Sequence, residues 1–136
     1  MNPSQRGAIA ETAITAHATR IGFRAFLPVA DGGRYDMILE AAGKLLRVQC
    51  KTAVRRGEVV VVEARSSRRT ADGHLREVYT PDDVDVIAAY SPELDRCFAI
   101  PIHDVPPSGG LHLRLAPTRN GQRAGLHFAD QYPSGL

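Results

Sequence analysis

The chain has 136 residues, of which 43% are hydrophobic and 24% are charged, with a formal net charge of +2. This length suits one domain with its own core, and the composition excludes a disordered chain and, with only two cysteines, a disulfide scaffold. No apolar run approaches the length of a membrane span and the N-terminus lacks the apolar part of a secretory signal, so we expect a cytoplasmic protein without a membrane partner.

The predicted elements begin with a helix over residues 3–21. Ser4 is suited to its N-cap, apolar residues recur at helical spacing, and Gly22 stands where a C′ glycine would end the helix. Residues 23–29 predict a first strand, because they are mostly apolar and are followed by a glycine-containing turn.

Two strands around a short turn form the clearest pattern in the chain. Residues 35–40 are strand-like, residues 45–51 form a second strand in which apolar and polar side chains alternate from residue 46, and residues 41–44 between them can turn. A further strand is predicted over residues 58–63, where four consecutive valines favour burial on both faces.

The later part of the chain is less regular. Residues 65–77 are polar, basic and rich in turn formers, and predict a mobile loop. Thr80 and Pro81 are suited to the N-cap and first position of a short helix. Further strands are predicted over residues 86–90, 97–102 and, more weakly, 111–115, before a tail over residues 117–136.

Basic residues are concentrated in the middle of the chain. Residues 47–76 include eight basic and three acidic side chains, so the rest of the chain is net negative. This pattern is typical of a surface that faces a polyanion, although arginines that only solvate a loop would produce the same count. We expect DNA contacts from five arginines: Arg55, Arg56, Arg65, Arg68 and Arg69.

Asp36, Gln49 and Lys51 can meet on one face of the predicted hairpin. Side chains alternate between the two faces of a strand, so Gln49 and Lys51 point the same way. A turn at residues 42–43 places Asp36 opposite Gln49, whereas a turn at residues 43–44 places it opposite Lys51. Both registers keep the three side chains together, but a slip of one residue would turn Asp36 away.

These residues have the chemistry of a magnesium site. Asp36 supplies a carboxylate oxygen, Gln49 an amide oxygen and Cys50 a backbone carbonyl, all of them hard ligands. Lys51 can hold a hydroxide nucleophile or balance charge on a pentavalent phosphate, and Glu11 can add a second carboxylate from the first helix. The alternative is a solvated strand face on which these side chains form weak surface pairs.

The order of these residues resembles the PD-(D/E)XK nuclease superfamily. The resemblance rests on Glu11 in a helix, then on the segments Gly33-Arg34-Tyr35-Asp36 and Val48-Gln49-Cys50-Lys51-Thr52-Ala53. The Gln-x-Lys form, with Tyr79 and Val84-Asp85 later in the chain, is most similar to the group I intron homing endonuclease branch.

The resemblance implies an α/β (α+β) fold with a restriction-endonuclease-like core, in which helices flank a central mixed sheet of four to five strands. One nuclease domain would span residues 1–136, with its core over 3–102 and a C-terminal extension over 103–136. It also implies Mg²⁺ as cofactor, which Mn²⁺ can replace.

The resemblance further implies roles for single residues. Asp36 and Gln49 would bind the metal, Lys51 would be the active-site lysine and Glu11 an accessory acid. Most of the superfamily has Asp or Glu in place of Gln49, so this chain should bind metal more weakly or bind one ion instead of two; the same substitution occurs in the intron branch. We expect structural roles for two further residues: Tyr79 as a packing ring and Asp85 as a turn or cap contact.

Three function hypotheses follow. The first is a metal-dependent endonuclease on double-stranded or branched DNA, as a homing enzyme, a Holliday-junction resolvase or a repair or restriction nuclease. The second is a non-catalytic DNA-binding module that kept the fold, which Gln49 favours; the third, an unrelated small-molecule or interaction domain, has no motif, and no small-molecule cofactor is expected. Since one active site cuts one strand, double-strand cleavage predicts a homodimer or homotetramer.

Overall fold

A computed structural model describes residues 2–71 and 73–116, with only the backbone described for residues 67–70 and 74–76. These residues form a helix, α1 (Pro3–Arg20), a short 3₁₀ helix (Ile102–Asp104) and ten strands. The strands are β1 (Arg24–Phe26), β2 (Met37–Ala41), β3 (Lys44–Thr52), β4 (Val54–Arg56), β5 (Val59–Glu63), β6 (Arg65–Thr70), β7 (Gly73–Val78), β8 (Val86–Ser91), β9 (Arg96–Pro101) and β10 (Gly110–Arg114). Neither helix is long and apolar enough to span a membrane.

The central sheet has five strands in the order β1-β2-β3-β8-β9. β3 and β8 run parallel, with Val48 beside Val86 and Thr52 beside Tyr90, and the other neighbouring pairs are antiparallel. The predicted mixed sheet and the predicted fold class are therefore confirmed.

The two faces of the central sheet are covered by different layers. On one face, Ile14 of α1 packs into a core with Val48. On the other face, Phe98 of the central sheet packs with Val60 and Leu113, which belong to a second sheet in the order β10-β5-β4. Within the described residues a single α-helix flanks the sheet, and a β-layer occupies the face where a second helical layer was expected.

The ends of α1 follow local chemistry. The helix begins after Asn2, whose side chain accepts a hydrogen bond from the Gln5 N–H at 2.9 Å while the Gln5 side chain accepts one from the Asn2 N–H at 3.1 Å. The expected cap, Ser4, lies inside the first turn instead, because Pro3 already occupies the first helical position. Gly22 has a φ of 95°, as expected for the residue that ends the helix.

Two expectations for the region after β5 were wrong. Residues 65–70 and 73–78 form the antiparallel strands β6 and β7, with Arg65 opposite Val78, instead of a loop. The polar side chains indicated a loop, but strands pair through backbone N–H and C=O groups. These groups are present whatever the side chains are, so polar residues can also form a hairpin. At residues 81–83 a turn replaces the expected helix, because the Asp83 carboxylate accepts from the Thr80 N–H at 3.0 Å and the buried Val84 follows at once.

The second sheet extends the core beyond the predicted boundary at residue 102. β10 pairs with β5 and buries Leu111 and Leu113, which are 1% and 0% exposed. β5 itself is fully buried on one face only, at Val60 and Val62, so the expected burial of all four valines is not found. The predicted tail over residues 117–136 lies outside the described residues.

Candidate active site

The β2–β3 turn determines which residues meet along the hairpin. Ala42 and Gly43 have φ values of 52° and 81°, as a two-residue type I′ turn requires, and Ala41 pairs with Lys44. The turn therefore lies at residues 42–43, the first of the two expected registers.

Asp36 lies one residue before β2 and interrupts the regular pairing. Its N–H donates to the Val48 carbonyl at 2.8 Å although Met37 is the partner of Val48, so two consecutive residues oppose one, as in a β-bulge. The Asp36 Oδ2 accepts a hydrogen bond from the Cys50 N–H at 2.9 Å. The carboxylate thus reaches past Gln49, the residue that uninterrupted pairing would place opposite it.

Gln49 and Lys51 point away from α1. Val48 and Cys50 belong to the core beneath α1, and alternation along β3 turns Gln49 and Lys51 to the other face. Gln49 is half-buried, and its amide forms no side-chain hydrogen bond within the described residues. Lys51 is also half-buried, and its Nζ donates to the Arg65 carbonyl at 2.9 Å.

Glu11 approaches Asp36 from α1. Both side chains line an open cavity of about 180 Å³, whose other lining residues belong to the loop over residues 28–35. Burial raises the pKa of Glu11, and the charges of Asp36 and then Asp31 raise that pKa further. The charge of Asp36 therefore acts on Glu11, the other acid expected at the site.

Asp36 and Lys51 form an ionisable pair with perturbed pKa values. Burial raises the pKa of Asp36, while the hydrogen bond from Cys50 and the charge of Lys51 act in the opposite direction. Burial also lowers the pKa of Lys51; the Asp36 charge opposes that shift and the Arg34 charge adds to it. Such opposed shifts in neighbouring acids and bases are typical of functional sites.

The groups around Asp36 suit a hard divalent cation. The carboxylates of Glu11 and Asp36, the two acids expected at the site, line the cavity together with that of Asp31, and the Gln49 amide oxygen has no protein partner in the described residues. The Cys50 carbonyl points to the same side of β3 as its N–H, towards Asp36. In the described part of the chain no group of three or more His, Cys, Asp or Glu side chains could hold a metal ion. A metal here would therefore need the amide and the backbone carbonyl beside the two carboxylates.

Arg34 is a residue of this site that the sequence analysis missed. Its guanidinium carbon lies 4.2 Å from the centroid of the Tyr79 ring, and the Lys51 Nζ lies 5.3 Å from the same centroid. Tyr79 is 6% exposed, which agrees with its expected packing role, but its ring also contacts both cations. The available signal was the position of Arg34 two residues before Asp36; its partner Tyr79 is too distant in sequence to be inferred.

Asp85 has the structural role expected for it. Its carboxylate accepts from the Arg47 N–H at 2.8 Å and from the Arg47 guanidinium at 3.1 Å, and its own N–H donates to the Arg47 carbonyl at 2.9 Å. These bonds join β3 to the residue that precedes β8, and so fix the parallel pair that carries Gln49 and Lys51.

The arginines expected to contact DNA lie on two strands, β4 and β6. Arg55 and Arg56 are exposed on β4. Arg65 begins β6, and its guanidinium forms an ion pair with Glu63. The side chains of the two others lie outside the described residues: Arg68 and Arg69.

Comparisons with known proteins identify the family. A family model described as PD-(D/E)XK endonuclease matches residues 1–134. A solved structure of a bacterial homing endonuclease, I-Ssp6803I, is similar with a TM-score of 0.76 and 26% identity, covering 97% of this chain and 88% of that chain. No curated protein matches. The resemblance drawn from the sequence is confirmed, and the chain belongs to the PD-(D/E)XK endonuclease family.

Proposed function

We propose that this chain is an endonuclease that hydrolyses phosphodiester bonds of double-stranded DNA with Mg²⁺, which Mn²⁺ can replace. The observation that carries the proposal is the meeting of Glu11 and Asp36 at one cavity, in a chain of an endonuclease family. Asp36 is bonded there to β3, the strand that carries Gln49 and Lys51, and the charge of Lys51 acts on it.

The metal would be held by Asp36, Glu11, the Gln49 amide and the Cys50 carbonyl. A bound divalent cation would polarise the scissile phosphate and lower the pKa of a water molecule. Asp36 is held in place for this role, because its carboxylate is tied to β3 by the Cys50 N–H at 2.9 Å. The neutral Gln49 would make the site bind metal more weakly than a site with three carboxylates.

Lys51 would stabilise the charge that builds on the phosphate in the transition state. Its ammonium is already oriented, since Nζ donates to the Arg65 carbonyl at 2.9 Å and lies 5.3 Å from the Tyr79 ring centroid. A preoriented cation in a half-buried site stabilises a developing anion more than a mobile surface lysine can.

DNA would be bound through the basic strands next to this site. Arg55 and Arg56 are exposed on β4, just after the strand that carries Lys51, and this supports phosphate contacts there. The remaining proposed contacts come from β6, at Arg65, Arg68 and Arg69.

We infer a homing-type role, in which the enzyme cuts both strands of a duplex site. The similarity to a bacterial homing endonuclease supports this role. Since each chain offers one set of active-site residues, cutting both strands requires at least a homodimer, or a homotetramer. Light scattering of the purified protein tests the assembly, and a monomer at working concentrations that still cuts both strands would refute it.

The function is tested by incubating wild-type protein with supercoiled, linear and four-way-junction DNA, in Mg²⁺, Mn²⁺, Ca²⁺ or EDTA. We expect nicked and then linear plasmid in Mg²⁺ and Mn²⁺ and no products in EDTA. Asp36→Ala and Lys51→Ala should remove cleavage while DNA binding in Ca²⁺ remains.

Two other outcomes separate the competing functions. Cleavage restricted to four-way junctions would identify a resolvase. DNA binding without cleavage in any metal would identify a non-catalytic module and refute the nuclease proposal.

A further inference from the structure

Arg34 links the loop before β2 to the β6–β7 hairpin and to the turn after it. Its guanidinium donates to the Ser66 Oγ on β6 at 2.6 Å and to the Val78 carbonyl, at the end of β7, at 3.3 Å. It also donates to the Asp83 carboxylate at 3.2 Å. Both terminal nitrogens of the guanidinium are therefore engaged within the protein.

The same guanidinium shares an aromatic ring with Lys51. The Arg34 guanidinium carbon is 4.2 Å and the Lys51 Nζ is 5.3 Å from the centroid of Tyr79, whose ring is buried in the core between the two sheets. Two cations on one ring repel each other unless each has a counter-charge. Arg34 is balanced by Asp83 and by Glu77 at 3.9 Å, and the charge of Asp36 acts on Lys51.

The two cations also hold adjacent residues of β6. Lys51 donates to the carbonyl of Arg65 at 2.9 Å, and Arg34 donates to the side chain of Ser66 at 2.6 Å. The carbonyl that orients the Lys51 ammonium thus belongs to a hairpin that Arg34 clamps at its first strand and at the end of its second strand.

We propose that Arg34 is a positioning residue for Lys51: it fixes the Tyr79 ring and the β6 backbone, which together set the place of the lysine ammonium. The inference rests on the proposed nuclease function. Arg34 acts through Lys51 and not by contacting DNA itself, because its own donors already bind Ser66, Val78 and Asp83. Its side chain is 31% exposed.

The test compares Arg34→Gln with wild type in single-turnover DNA cleavage and in DNA binding with Ca²⁺. A displaced catalytic group of this kind lowers the rate constant for cleavage by about ten- to a hundred-fold. We expect that loss with a Kd for DNA close to the wild-type value. Rates are compared at a temperature where circular dichroism shows both proteins folded.

Three further variants and one control variant keep the test decisive if Arg34→Gln folds poorly. Ser66→Ala removes one bond of the clamp and should lower the rate less than Arg34→Gln does. Tyr79→Phe keeps the ring and should lose less activity than Tyr79→Leu, which should lose activity as Arg34→Gln does. Arg96→Gln is the matched control, because its guanidinium also stacks on a buried ring, Phe98 at 4.9 Å, on β9; it should cleave as wild type does.

The possible outcomes distinguish this inference from the proposed function. A wild-type protein that does not cut DNA refutes the function itself. If wild type cuts, an unchanged rate in folded Arg34→Gln and Ser66→Ala overturns the inference. A raised Kd with an unchanged rate constant also overturns it, because Arg34 would then contact DNA directly. Equal activity of Tyr79→Phe and Tyr79→Leu would show that the Tyr79 ring does not position Lys51, and would overturn the inference as stated.

Discussion

Asp36→Asn tests the metal site through protein stability, independently of cleavage. The substitution keeps the size of the side chain and an oxygen that can accept from the Cys50 N–H, but removes the charge. Burial raises the pKa of Asp36, so the ionised carboxylate is disfavoured in the folded protein. The Asp36 charge also raises the pKa of Glu11 in the same cavity, so its removal relieves this repulsion. Without metal, the variant should therefore be at least as stable as wild type.

The expected magnitude follows from binding linkage. A cation at a free concentration of about 100 times its Kd stabilises the folded state by about 2.7 kcal/mol. For a domain of this size, about 3–4 °C in Tm corresponds to each kcal/mol, so wild type should gain about 10 °C in Tm. Asp36→Asn should gain little, because it removes the carboxylate that is bonded to β3 at Cys50 and leaves only Glu11 and Asp31 as acids of the cavity.

Thermal unfolding followed by circular dichroism, in EDTA and in increasing Mg²⁺ or Ca²⁺, measures both effects. Glu93→Gln is the control, since it removes one acidic charge from an exposed position in the β8–β9 turn and should behave as wild type does. An equal metal-dependent rise in Tm for Asp36→Asn and wild type would show that metal binds elsewhere. A variant less stable than wild type in EDTA would show that the fold needs the Asp36 charge.

Three other predictions concern the lysine, the basic strand and the β3–β8 junction. Lys51→Ala should lose plasmid nicking in Mg²⁺ but keep its Kd for DNA in Ca²⁺; a matching loss of binding would assign the lysine to the interface. Replacing Arg65, Arg68 and Arg69 together should make the slope of log affinity against log salt shallower by roughly two to three units, and equal slopes would place the phosphate contacts on other residues. Asp85→Asn should cost about 1 kcal/mol at pH 7, because charge-assisted bonds to a half-exposed group are partly screened. The Arg47 side chain lowers the pKa of Asp85, so this stabilisation is present above the unfolded pKa of about 3.9 and is lost as the pH falls through the folded pKa. Urea unfolding at pH 7 and pH 3 should show the difference between variant and wild type shrink, and an unchanged difference would contradict the reasoning.

The local elements of the site could be predicted because short-range chemistry determines them. Alternation along β3 places Gln49 and Lys51 on one face, and the turn at Ala42 and Gly43 sets the register of the hairpin. The mixed central sheet followed from the resemblance that these residues carry, and it is confirmed.

Polar composition failed as a guide to the β6–β7 hairpin. Residues 65–77 have the composition of a loop, yet residues 65–70 and 73–78 pair as strands, and Arg34 and Lys51 contact the first of these strands at Ser66 and Arg65. Contacts between residues so far apart along the chain leave no periodic signal in the sequence.

The sequence by itself determined the residue types at the site and the local hairpin, since these depend on alternation and turn chemistry. It determined the family and the mixed sheet through the resemblance that these residues carry. Tertiary structure alone decided how those residues meet. The bulge at Asp36 turns its carboxylate to Cys50, α1 brings Glu11 to the same cavity, and Arg34 and Lys51 share one ring. Each of these contacts joins separate elements, so it depends on how the layers pack, which no single segment encodes.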